Sequence, residues 1–77
     1  MLVTDPKSLK PGEYLRYQGG QGDRRVDGVV QVEETPTSAN GFFVKVVEVT
    51  FKGPAAESPN FEAGKMIASG VGELYRQ

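Results

Sequence analysis

Any chemistry in this chain has to be done without histidine, cysteine or tryptophan. A hydroxyl nucleophile needs a base within hydrogen-bond reach, most often an imidazole, and only carboxylates, lysines and tyrosines are left for that role. Acid–base work by two carboxylates requires a pair held in contrasting environments. Glu33 and Glu34 are adjacent, so on a strand they project to opposite faces. Asp23 and Asp27 flank Arg24 and Arg25, which neutralise them. Soft metal ligands are absent, and the scattered acids do not match a calcium loop. The residues predict no catalytic group, no metal and no cofactor. An enzyme reading would need a site formed only where several copies meet on a symmetry axis.

Two stretches have the beginnings of a phosphate loop, Gly20-Gln21-Gly22 and Gly70-Val71-Gly72. Neither has a third glycine at the needed spacing, and neither leads into a helical pattern whose N-terminus could hold an anion. Both read as turns.

Binding is the more promising class of function. Phe42 and Phe43 are neighbours on what reads as a strand, so one faces the core and the other faces outward. Parity sends Phe42 inward with Val44 and Val46, leaving Phe43 outside, and the same argument turns Val29 outward. Val29 and Phe43 are therefore the candidate residues for a protein partner, a second copy of the chain included. The segment from Pro54 to Phe61 is the alternative cover for that face.

The rival surface is Tyr17, Arg24 and Arg25. Arginines after a glycine-rich loop, beside an exposed aromatic, could hold a nucleic acid through backbone charge and base stacking. The formal net charge of −1 opposes this. It hides an uneven distribution, with net +2 over residues 1–25, −4 over 26–64 and +1 over 65–77.

These residues must be positioned by short strands. Asp5 can cap a helical turn that begins at Pro6, and Pro11-Gly12 suits the centre of a type II turn. Glu13–Tyr17 reads as a first strand with Leu15 inward. Gln18–Arg25 reads as loop, and Val26–Glu34 as a second strand whose Val26, Gly28, Val30 and Val32 share one face. Asn40-Gly41 favours a tight hairpin turn.

In Phe42–Phe51 the apolar residues Phe42, Val44 and Val46 share the even positions, and from Val47 the parity inverts to Val47, Val49 and Phe51. A bulge near Val46-Val47 would keep both halves, including Val47, Val49 and Phe51, on a single core. Lys52–Ala63 reads as loop with one turn at Ala55-Ala56-Glu57. Lys65–Ser69 and Val71–Arg76 read as two short final strands.

Five short strands with a bent central one predict an all-β fold. The layout is that of a small five-stranded, strongly bent antiparallel barrel, SH3-like, with a short helical turn near the N-terminus. The 77 residues allow one domain spanning 1–77. Apolar runs such as Phe42-Phe43-Val44 are too short to span a membrane as a helix. The N-terminus lacks a basic segment followed by an apolar one. The expectation is a cytoplasmic, non-catalytic binding or assembly module. Its size and lack of signature suit an accessory protein of a phage or other mobile element.

Overall fold

The computed structural model describes residues 1–56 and 60–76. Five strands form one antiparallel sheet: β1 (Tyr14–Gly19), β2 (Val26–Val32), β3 (Asn40–Lys52), β4 (Met66–Gly70) and β5 (Leu74–Tyr75). Their order in space is β4-β3-β2-β1-β5, and the sheet curls into a half-barrel. A 3-10 turn over Val71–Glu73 breaks the chain before β5. The expected small all-β barrel of SH3-like layout is the fold observed.

Local chemistry explains the punctuation. Asp5 caps the 3-10 turn Pro6–Ser8, its carboxylate accepting from the Lys7 N–H at 3.0 Å, with proline at the first position. Lys10–Glu13 then closes as a turn, the Glu13 N–H donating to the Lys10 carbonyl at 3.0 Å. Asn40-Gly41 departs from expectation. It opens β3 instead of forming a hairpin turn, and Gly41, at φ +76°, is the extra residue between the pairs Asn40–Gly70 and Phe42–Ser69. The positive φ that suits a tight turn serves equally well in a glycine bulge. Val71–Arg76 also differs from a plain strand, because its first three residues wind into the 3-10 turn. The expected turn at residues 55–57 lies partly outside the described residues.

The bend in β3 is where the barrel takes its shape. Val44 and Val46 sit opposite Val32 and Val30 and are fully buried. Glu48 then pairs with Val29, so Val47 is an extra residue with no counterpart on β2. A second shift follows: Val49 pairs with Gly28 and Phe51 with Asp27, which leaves Thr50 extra. The parity change at Val46-Val47 is thus a bulge, as the sequence pattern implies. Only Val49 of the second half turns to the core, however. Val47 is the looped-out residue and is exposed. Phe51 lies past the second shift and is also exposed, its ring under the Arg25 guanidinium at 5.4 Å.

The inner face gathers Leu9, Leu15, Val30, Val32, Val44, Val46 and Leu74, all fully buried, with Val3, Val26 and Phe61 beside them. Gly28 is the point of closest approach. A Cβ there would stand 2.3 Å from the Glu48 carbonyl oxygen and 3.0 Å from the Phe61 ring. One of these neighbours is backbone and cannot swing away, so a methyl group at position 28 must push β3 off β2. Gly28→Ala should cost about 1–3 kcal/mol by overpacking. Gly72→Ala, where a Cβ would meet nothing within 4 Å, should stay within about 0.5 kcal/mol of the parent. Urea denaturation of the three proteins checks this. Equal midpoints for Gly28→Ala and the parent would show that β3 is free to shift there.

Candidate interaction surface

Phe43 stands on the outer face of β3, 60% exposed, and Met66 on β4 is 44% exposed. Register explains their proximity: Phe43 is opposite Ala68 and Lys45 opposite Met66, so Phe43 and Met66 are diagonal neighbours across the β3–β4 pair. The chain between β2 and β3 rises beside them. It is anchored by the Thr35 hydroxyl, which donates to the Leu9 carbonyl at 2.8 Å, and by Pro36, which is buried. Together they enclose an open groove of roughly 500 Å³ whose apolar lining is Phe42, Phe43, Pro36 and Met66. Glu33, Glu34, Thr35 and Thr37 complete its wall, so every charged group in the lining is acidic.

Val29 does not join this patch. It pairs with Glu48 on β3 and Arg16 on β1, and it is half-buried. The row formed by Lys45 and Gln31 runs between it and Phe43. Parity puts the two residues on one face, and register separates them. The groove-lining residues that sequence reasoning passed over are Met66, Pro36 and the Glu33-Glu34 pair. For Met66 the available signal was an apolar side chain on the outward parity of a short strand.

The Pro54–Phe61 segment, within its described residues, does not cover Phe43. Phe61 is buried on the opposite, inner side, its ring centroid 5.4 Å from that of Tyr17. Residues 57–59 of that segment lie outside the described residues.

The second expected surface is taken apart by the fold. Tyr17 is only 8% exposed and belongs to the core, on the buried parity of β1 with Leu15 and Gly19. Its hydroxyl donates to Glu73 Oε2 at 2.8 Å, and Glu73 Oε1 accepts from the Gly70 N–H at 3.3 Å. No stacking face is left for a base. Arg25 is held by a forked pair with Asp27, at 3.0 and 2.5 Å, above the Phe51 ring. Arg24 is exposed in the 3-10 turn Gly22–Arg24, without an ion pair among the described residues. Tyr17, Arg24 and Arg25 therefore do not form one surface.

Among the described residues, no group of three or more carboxylates is placed to hold a metal ion, and no helix is long and apolar enough to cross a membrane. No protein-family model, curated protein or solved structure matches the chain. The surface has to be interpreted from its own geometry.

The Tyr17–Glu73 contact carries a pH signature. Burial, then the hydrogen bond to Glu73 and its negative charge, pushes the Tyr17 phenol well above its ordinary value of 10.0. A pKa raised on folding contributes stability that is fully present below pH 10 and is lost as pH climbs toward the folded-state value. Tyr17→Phe should cost about 1 kcal/mol at pH 7. Relative to this variant, the parent should lose its advantage between pH 10 and 12. Paired denaturation curves at pH 7 and pH 11 check it, and an unchanged difference would mean that folding does not raise the phenol's pKa.

Proposed function

We propose that the chain is a non-catalytic binding or assembly module that works by protein–protein association, self-association included. The observation that carries this reading is Phe43. A phenylalanine 60% exposed beside a half-exposed methionine, over a groove with a proline and a second phenylalanine in its wall, is a costly arrangement for a surface that stays wet. Burying such a side chain in a complex is worth about 1.5–3 kcal/mol, enough to make it an energetic centre of an interface.

The setting supports a binding role as well. The groove is built on paired strands and an anchored loop, so its floor needs little reorganisation on binding. The acidic wall at Glu33 and Glu34 favours basic groups at the rim of whatever docks there.

The test combines light scattering on the purified chain with capture of a partner from the source cell. Phe43→Ser leaves the core untouched and should reduce whichever association is seen by at least about tenfold. A chain that is monomeric at high concentration, with partner capture indifferent to Phe43→Ser, would refute the reading.

A further inference from the structure

The β2–β3 ladder brings an acid and a phenylalanine together at each of its ends. At one end Asp27 is opposite Phe51. The Arg25 guanidinium lies over the Phe51 ring at 5.4 Å and forks onto both Asp27 oxygens, at 3.0 and 2.5 Å. The ring presents the negative face of its π-system and the carboxylate presents two acceptors, so one planar cation satisfies both. At the other end the last pair is Val32–Val44, with Glu33 the next residue after Val32 and Phe43 the one before Val44. Both are exposed and both line the groove, with Glu34 beside them. Neither glutamate has an ion pair among the described residues.

Building on the association reading above, we infer that the groove receives an arginine side chain of the partner protein, its guanidinium stacked on Phe43 and paired with Glu33 and Glu34. Charge complementarity names the class of partner. Every charged group in the lining is acidic, so a cation is drawn in and an anion is repelled. The ring narrows the class further. A guanidinium is flat, forked and weakly hydrated, so it stacks on a phenylalanine and binds a carboxylate at the same time. A lysine ammonium is a compact, strongly hydrated charge without that geometry.

Lys45, two positions beyond Phe43 on the same face of β3, is not part of the lining. It carries the same charge as the guest and so confines the guanidinium to the glutamate side of the ring. At roughly 500 Å³ the groove is the size of a ligand pocket and has room for more than one side chain. The arginine covers Phe43, and apolar neighbours in the partner's segment cover Met66 and Pro36.

NMR titration of the full chain with a capped tripeptide, arginine between two leucines, tests this. Two matched peptides carry citrulline, an uncharged isostere, or lysine in place of the arginine. The arginine peptide should bind with a Kd of about 1 mM and move the amide signals of Glu33, Glu34 and Phe43. The citrulline peptide should bind at least about tenfold more weakly, and the lysine peptide at least about threefold. Glu33→Gln/Glu34→Gln and Phe43→Leu should each cut the preference for arginine over citrulline at least about threefold. Phe43→Leu keeps an apolar side chain, so it separates ring stacking from plain burial. Circular dichroism confirms that each variant is folded. Spectra unchanged by the arginine peptide up to about 10 mM overturn the inference, as do equal affinities for the arginine and citrulline peptides. If association of the chain falls with Phe43→Ser but not with Glu33→Gln/Glu34→Gln, the arginine site is refuted and the wider binding role stands.

Discussion

The shape of this protein rests on a missing side chain. β3 has to stay hydrogen-bonded to β2 along its length while the chain turns through the curvature of a half-barrel. It does so by inserting Val47 and Thr50 as extra residues on either side of the Glu48–Val49 step. Such insertions steepen the local twist and bring the bulged strand in toward its neighbour. The Glu48 carbonyl comes so near Gly28 that even a methyl group would collide with it. The same space admits the edge of the Phe61 ring, which packs at a tilt against Tyr17, whose hydroxyl in turn reaches Glu73. From one glycine, contact runs through three side chains to the 3-10 turn that starts the last strand. Bend, core lid and strand break are a single solution to one geometric demand.

That chain of contacts also marks the limit of what a sequence can reveal. The parity change at Val46-Val47 is legible because alternation is a property of one strand, and so is the bulge that must follow from it. Which of the later residues turn inward depends on the partner. Phe51 reads as core by alternation, yet the second register shift sets it opposite Asp27, where Arg25 covers it. Alternation placed Tyr17 on the parity of Leu15, while its neighbourhood of arginines suggested an exposed stacking ring. The deciding contact is a hydrogen bond to a residue 56 positions away, which no local pattern encodes. Val71–Glu73 failed as a strand for a related reason, since Glu73 folds back to accept from the Gly70 N–H.

The outward face divides along the same line. Facing direction could be read from alternation, so Phe43 stood out as a phenylalanine without a core to enter. Neighbourhood could not, because it requires register: the Lys45–Gln31 row separates Val29 from Phe43, and Met66 takes the place expected for Val29. The β2–β3 loop supplies the rest of the groove. Its position follows from the Thr35–Leu9 hydrogen bond and the burial of Pro36, both long-range.

Charge undergoes the same rearrangement in passing from sequence to space. Along the chain the basic residues concentrate before position 26 and the acids in the middle. Folded, one cation and one acid of that stretch are paired: Arg25 forks onto Asp27, and Arg76 reaches back to Glu13 across most of the sequence. The basic excess of residues 1–25 is unchanged by this pairing; what the fold removes from a nucleic-acid surface is the stacking ring, because Tyr17 is buried and its hydroxyl is held by Glu73.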